Sequence, residues 1–189
     1  IVQGKPASTV VAGQEPGKTE EAQAILMSSS FRVYTSDDAV GVELGGALKN
    51  VIALGAGIAD GLGVGDNGKA ALLTRGLAEI TRLGVAAGAQ PLTFAGLAGL
   101  GDLVATCASP LSRNRYVGEQ LARGKTWPEI RRSMTNVAEG VNAPSAALTL
   151  AGKLDVEMPI TQLTYRVLCD GLPPHKAVAE LMGRPPRAE

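Results

Sequence analysis

The densest cluster of chemically versatile side chains lies between Gly99 and Arg115, in the stretch GLGDLVATCASPLSRNR. It combines a carboxylate, several hydroxyls, a guanidinium and an amide around two short helix starts. These groups, together with the free backbone N–H groups of a helix start, can bind an anion and orient a reacting group. The stretch therefore predicts an anion-binding reaction site.

A second candidate is Lys49, in the upstream segment VELGGALKNVIA, which is otherwise mostly small and apolar. Burial in such a helix disfavours the charged ammonium, so the amine could donate or accept a proton near neutral pH. Gly45 and Gly46 precede it and would let another backbone or a ligand come close. The competing interpretation is a lysine whose amine reaches solvent. The residues alone do not separate the two.

Two residues of the downstream cluster could share a site with Lys49. Asp102 stands at the expected start of a short helix, where it either caps that helix or pairs with the lysine. Thr106 lies one turn later on the same face. It either faces the same pocket or bonds back to its own helix.

The second helix start of the cluster is the candidate anion site. Ser112 is its expected N-cap, and Arg113 and Asn114 would converge with it on an anion such as phosphate. In the alternative, Ser112 only caps the helix, and both Arg113 and Arg115 are solvated.

Composition narrows the function classes. The chain has 189 residues with 18 basic and 18 acidic side chains, so neither nucleic acid nor an anionic membrane surface is an expected partner, and a small charged metabolite fits better. Its two cysteines, Cys107 and Cys169, and single histidine, His175, form neither a disulfide framework nor a metal-ligand pattern. A reducing, cytoplasmic location is expected. The apolar run 40–62 carries charges and several glycines, which favours a core helix over membrane insertion.

The elements that must position these residues fall into two parts. Residues 9–12, 16 to about 28 and 31–35 predict a β-α-β unit. From residue 40 onward the spacing of apolar residues predicts a mainly α fold, with helices at about 40–62, 68–87, 92–96, 98–107, 112–123, 126–134, 140–153, 159–170 and 174–182. Glycines 55 and 57 follow helix rather than strand, so we interpret them as packing glycines and not as a dinucleotide fingerprint.

Several ordered motifs closely resemble the bacterial NAD(P)-dependent glycerol-3-phosphate dehydrogenases. They cover nearly the whole chain: Val42–Ala53, Gly57–Gly63, Gly65–Asn67, Thr74–Glu79, Gly99–Arg115, Glu139-Gly140 and Leu181–Pro185. The resemblance implies that residues 1–37 are the tail of an N-terminal Rossmann domain and residues 38–189 an all-helical substrate-binding domain. The chain opens at Ile1, as expected of a piece of a longer protein, and would be inactive alone. A homodimer is also implied.

The resemblance also implies roles for individual residues. Lys49 corresponds to the proton acceptor, Asp102 to the acid that contacts substrate and orients the lysine, and Thr106 to the site wall. The glycerol-phosphate contacts would be Ser112, Arg113 and Asn114, and the NAD(P)H contacts Arg113, Val137 and Glu139. Asn142 departs from the arginine that many relatives carry there, which puts polar contacts near the cofactor cleft in question.

The implied reaction is reversible hydride transfer between NAD(P)H and dihydroxyacetone phosphate, which gives sn-glycerol 3-phosphate for phospholipid synthesis. One rival is a 3-hydroxyacid dehydrogenase of the 6-phosphogluconate type, which also carries its lysine on a helix. A second is a non-catalytic helical dimerisation module whose glycines serve packing alone. An amine of Lys49 buried beside Asp102 would argue against the second rival.

Overall fold

A computed structural model describes residues 3–136 and 138–186. The chain begins with strand β1 (Ala7–Ala12), helix α1 (Pro16–Leu26) and strand β2 (Phe31–Ser36). The strands pair in parallel, from Ala7 opposite Phe31 to Ala12 opposite Ser36. In the described part of the chain no third strand extends this sheet. The expected β-α-β unit is confirmed.

The rest of the described chain is helical, which confirms the mainly α fold class. A π-helical turn, Leu97–Gly101, precedes α5, and a 3-10 turn, Glu139–Val141, precedes α8. The α-helices are α2 (Ala39–Gly61), α3 (Gly65–Ala86), α4 (Pro91–Ala95), α5 (Asp102–Ala108), α6 (Arg113–Ala122), α7 (Trp127–Ser133), α8 (Ala143–Lys153), α9 (Pro159–Cys169) and α10 (Pro174–Met182).

Helix α2 is the centre of the helical part. Its residues Val51, Ile52, Ala53 and Leu54 have no exposed surface, and α3, α5, α6, α8 and α9 all pack on it. Among the described residues it is the one helix long and apolar enough to cross a membrane, but 67% of its apolar stretch is buried in the fold. This burial confirms the expected core helix.

The glycines of α2 allow α6 to cross it at backbone contact. A Cβ atom on Gly57 would lie 1.9 Å from the carbonyl oxygen of Arg115, and one on Gly118 would lie 2.1 Å from that of Leu54. Both distances are far inside van der Waals contact, so only glycine fits. Gly55 and Gly57 both lie within a helix, as expected, and the interpretation of Gly57 as a packing glycine is confirmed.

Three helix boundaries differ from the expected ones. Gly63 and Gly65 adopt positive φ, which makes a tight turn and lets α3 begin at residue 65 rather than 68. The helix expected at 98–107 is split into the π-helical turn and α5. The helix expected at 140–153 is split into the 3-10 turn and α8, whose Pro144 lacks a backbone N–H and is tolerated only in the first turn.

Two buried carboxylates connect elements distant in sequence. Asp38 caps α2 through Gly41 and also accepts hydrogen bonds from the Gln90 N–H at 2.8 Å and the Thr93 hydroxyl at 2.6 Å. Glu79 of α3, only 1% exposed, accepts from the first N–H groups of α9, at Ile160 and Thr161. Burial raises the pKa of Glu79. Its backbone partners replace the lost hydration.

Candidate active site

Lys49 and Asp102 meet between α2 and α5. The Lys49 amine donates a hydrogen bond to Asp102 Oδ2, and its side chain is only 20% exposed. Gly45 makes the meeting possible, since a Cβ there would lie 2.6 Å from the Ala98 carbonyl oxygen of the π-helical turn. The amine is therefore held by a carboxylate where α2 meets α5, and most of the lysine side chain is covered.

Asp102 is the first residue of α5, and its side chain forms no cap on that helix. One carboxylate oxygen accepts from Lys49 and the other accepts from the Thr106 hydroxyl at 3.3 Å. The capping explanation for Asp102 is wrong, because the preceding turn is already helical and the carboxylate faces α2. Thr106 bonds to this carboxylate, so it belongs to the same cluster.

A cleft of about 400 Å³ opens beside this pair. Its walls combine the middle of α2, the end of α5, the start of α6 and the 3-10 turn. Six of the eight residues singled out from the sequence line it: Lys49, Thr106, Ser112, Arg113, Asn114 and Glu139. Asp102 adjoins it through its bond to Lys49. Val137 lies outside the described residues.

The start of α6 has the polarity of an anion site. Ser112 is the N-cap, as expected, and its hydroxyl accepts the Arg115 N–H at 3.3 Å. The first backbone N–H groups of a helix carry partial positive charge. The exposed Arg113 adds a guanidinium on the same wall. Together they can hold a phosphate at the cleft.

Arg115 is not solvated, contrary to the alternative considered from the sequence. Its Nε lies 2.5 Å from Asp60 Oδ2, and an Nη lies 2.9 Å from Glu119. Lys69 of α3 also binds Asp60, at 2.7 Å. Burial alone would raise the pKa of the Asp60 carboxyl, but its bonds from Lys69 and Arg115 hold that pKa below the ordinary value. This cluster joins α2, α3 and α6.

Asn50 is a polar cleft residue that was not singled out from the sequence. It follows Lys49 and accepts a hydrogen bond from Asn114 at 2.8 Å. Gly46, one turn before Asn50, leaves the open space expected of it. Asn50 is one of few polar residues in an apolar helix, which was a usable signal. Its bond to Asn114 joins two helices and has no local sequence signature.

The remaining reactive side chains take no part in the cleft. Cys107 has no exposed surface, and burial raises the pKa of its thiol to about 12, so it stays protonated and unreactive. His175 is exposed on α10. Among residues 3–136 and 138–186, no group of three or more histidine, cysteine or carboxylate side chains could hold a metal ion. The chemistry available is anion binding beside a lysine amine that can transfer a proton.

Comparison with known proteins agrees with this arrangement. A family model described as the C-terminus of NAD-dependent glycerol-3-phosphate dehydrogenase matches residues 38–179. A protein of Frankia casuarinae named glycerol-3-phosphate dehydrogenase (NAD(P)+) is 55% identical over all 189 residues, which cover 56% of its own length. A protein of the same name from Dehalococcoides mccartyi is 53% identical over 96% of this chain and 51% of its own.

Among solved structures, the crystal structure of glycerol-3-phosphate dehydrogenase from Coxiella burnetii superposes with a TM-score of 0.93 at 40% identity. The match covers 96% of this chain and 56% of the crystallised one. The chain thus spans about half the length of the relatives it matches.

Proposed function

Since the chain belongs to the NAD-dependent glycerol-3-phosphate dehydrogenase family, we propose that it forms the C-terminal part of an enzyme that interconverts dihydroxyacetone phosphate and sn-glycerol 3-phosphate with NAD(P)H. In this proposal residues 1–37 complete an N-terminal Rossmann domain and residues 38–189 form the substrate-binding domain. The observation that carries the proposal is the cleft in which the Lys49–Asp102 pair adjoins the start of α6.

The phosphate group of the substrate binds at the start of α6. Ser112 and Asn114 offer polar groups, the helix start offers backbone N–H groups, and the Arg113 guanidinium adds charge-assisted hydrogen bonds. A phosphate fixed there holds the C2 carbonyl in the part of the cleft that Lys49 lines. Binding energy remote from the reacting carbon thus contributes to the chemical step.

Lys49 transfers the proton at the C2 oxygen. In the reducing direction the Lys49 ammonium would give its proton to the carbonyl oxygen as the carbonyl carbon receives the hydride, which produces the alcohol and leaves the neutral amine. In the oxidising direction the same amine accepts that proton. Asp102 holds the amine in position through one carboxylate oxygen and is itself held by Thr106 through the other.

In this proposal Arg113 and Glu139 contact the cofactor. Val137, which lies outside the described residues, is assigned the same role. On the described wall of the cleft, a guanidinium and a carboxylate lie together, and this donor and acceptor set fits the phosphate, amide and hydroxyl groups of a nicotinamide dinucleotide. When bound, the nicotinamide supplies the hydride and carries the redox chemistry. The main cofactor contacts belong to the N-terminal domain in this proposal, so the present chain alone is inactive.

The wider context of the enzyme follows from the same proposal. It works in the cytoplasm on a small phosphorylated metabolite, supplies glycerol phosphate for phospholipid synthesis and acts as a homodimer. The balanced charge of 18 basic and 18 acidic residues supports a metabolite rather than nucleic acid as its ligand. The Lys49 side chain, which is only 20% exposed and bonded to Asp102 at the cleft, argues against a module that serves packing alone.

The test is a substrate panel on the complete protein that contains this chain. We expect NAD(P)H oxidation with dihydroxyacetone phosphate and none above background with unphosphorylated dihydroxyacetone or with 3-oxo acids. Activity confined to a 3-oxo or 3-hydroxy acid would favour the 6-phosphogluconate type of enzyme. No turnover of any compound in the panel would support the non-catalytic module and overturn the proposal.

A further inference from the structure

The side chain of Asn114, which lines the cleft, is hydrogen-bonded to two other elements of the fold. Asn114 is 7% exposed, and its amide makes two hydrogen bonds to other elements. Nδ2 donates to Asn50 Oδ1 on α2 at 2.8 Å, and Oδ1 accepts the Gly140 N–H of the 3-10 turn at 2.9 Å. Asn50 in turn donates to the Gly46 carbonyl oxygen at 3.2 Å. One side chain therefore joins α6 to both neighbours.

The 3-10 turn lies directly against α2 at this point. A Cβ atom on Gly140 would lie 2.7 Å from the Asn50 carbonyl oxygen and 2.8 Å from Asn114 Oδ1. No side chain at residue 140 fits without displacing the turn. Glu139, the preceding residue, lines the cleft. Asn114 and Gly140 thus fix where Glu139 stands relative to Lys49, which is the neighbour of Asn50 on α2.

These contacts leave Asn114 little capacity as a ligand. Its amide oxygen is used by Gly140 and one of its two N–H groups by Asn50, so one side-chain N–H remains for an anion. At the start of α6 an anion can bind the Arg113 guanidinium and the backbone N–H groups that precede Arg115, whose own N–H donates to the Ser112 hydroxyl. Asn114 therefore connects α6 to α2 and to the 3-10 turn, in addition to the single hydrogen bond that it can offer the phosphate.

We infer that the Asn114 side chain is a positioning residue, which couples Glu139 to Lys49 by bridging Asn50 and Gly140. The inference rests on the proposed function, in which Glu139 contacts the cofactor and Lys49 transfers the proton. Loss of the bridge releases the 3-10 turn, so the contact of Glu139 with the cofactor is lost even though Glu139 is unchanged. A plain phosphate ligand would have no such effect on Glu139.

The kinetic test is a double-mutant cycle of Asn114→Ala and Glu139→Gln in the complete protein. We expect Glu139→Gln alone to raise the KM for NAD(P)H about tenfold, as for one hydrogen bond to a charged group. Asn114→Ala should itself raise the KM for NAD(P)H. Adding Glu139→Gln to the Asn114→Ala protein should then change this KM by less than about twofold. The matched control is Asn67→Ala, at an exposed asparagine in the first turn of α3. It should leave the KM for NAD(P)H and the KM for the phosphorylated substrate unchanged.

Two results would overturn the inference. One is full additivity of Asn114→Ala and Glu139→Gln, because independent residues do not couple. The other is an Asn114→Ala protein in which only the KM for the phosphorylated substrate rises. Should Asn114→Ala not fold, Asn50→Ala breaks the same bridge from the α2 side and replaces it in the cycle.

A second readout does not need activity. Hydrogen–deuterium exchange of the Gly140 amide should become much faster in Asn114→Ala, which lacks the acceptor. It should stay protected in Asn114→Asp, which keeps an oxygen at that place. Unchanged exchange in Asn114→Ala would refute the bridge itself. A complete protein with no NAD(P)H turnover would refute the proposed function instead, and the exchange result would still decide whether Asn114 positions the turn.

Discussion

At the scale of single residues, the site centres on Lys49, whose amine projects from a mostly apolar helix at the cleft. An unpaired ammonium there would be costly, and Asp102 offsets that cost by accepting its hydrogen bond. Thr106 then fixes the carboxylate, so the lysine has one geometry relative to the cleft. This explains why a helix of small and apolar residues tolerates Lys49 at a position that lines the cleft.

Arg113 supplies the side-chain charge at the proposed phosphate site. Arg113→Ala in the complete protein should lower kcat/KM for dihydroxyacetone phosphate by about 3 kcal/mol, or roughly a hundredfold, through loss of charge-assisted hydrogen bonds. Steady-state kinetics measure the change. The control is Arg123→Ala, at the exposed C-terminal end of the same helix, which should leave kcat/KM unaltered. An Arg113→Ala enzyme with normal kcat/KM would remove this residue from the site.

At the scale of elements, the cleft depends on how closely α6 crosses α2. The crossing brings the backbones into contact at Gly57 and Gly118, and the same two helices carry Lys49 and the start of the anion site. The separation of the proposed proton-transfer group, Lys49, from the proposed phosphate site is thus set by packing of glycine against backbone. Small changes at the crossing should alter both stability and the site.

Gly57→Ala tests this packing. The new Cβ would lie 1.9 Å from the Arg115 carbonyl oxygen, which cannot move without shifting α6. We expect a loss of about 2–3 kcal/mol in the free energy of unfolding, measured by chemical denaturation or as a lower Tm. Gly152→Ala in α8 is the matched control, because its Cβ would meet nothing within 4 Å. It should leave stability unchanged or raise it by up to about 1 kcal/mol. Equal stability of both variants would contradict the crossing.

Local rules predicted much of these elements from the sequence. Apolar periodicity predicted the β-α-β unit and most helices, and the residue type at Ser112 predicted its N-cap. The rules did not predict the π-helical turn, the bond between Asn50 and Asn114 or the cap that Glu79 places on α9. These last two join residues 64 and 81 positions apart, and such pairs follow from how helices pack rather than from any local pattern.

At the scale of the whole molecule, the cluster of Asp60, Lys69, Arg115 and Glu119 ties α2, which carries Lys49, to α3 and α6. Each of these side chains is about four-fifths buried. The pKa of Asp60 lies below its ordinary value, so the unfolded chain binds a proton at this carboxyl more readily than the folded protein does. The stability that Asp60 contributes is therefore present at neutral pH and is lost as the pH falls below about 4.

This pH dependence comes from one side chain, so it can be measured by comparing the Tm of the unchanged protein with that of Asp60→Asn at each pH. Asp60→Asn should lower the Tm at pH 7, because Lys69 and Arg115 lose their shared carboxylate. The Tm difference between the unchanged protein and the variant should shrink as the pH is lowered from 7 to about 3. Thermal unfolding of both proteins across that range measures it. A difference that stays constant with pH would show that the ion pairs of Asp60 do not contribute as the geometry indicates.

The proposed function requires that Lys49 transfer the proton in a dehydrogenase that acts on dihydroxyacetone phosphate. The most direct measurement is the kcat of Lys49→Met in the complete protein, together with its Tm. Methionine keeps the length and apolar packing of the side chain but removes the amine, so the fold should persist with a much smaller loss than the chemistry. Because a positioned acid–base group contributes about a hundred- to ten-thousand-fold, we predict that kcat falls at least about a hundredfold. A folded Lys49→Met enzyme with a kcat near that of the unchanged protein would contradict the account.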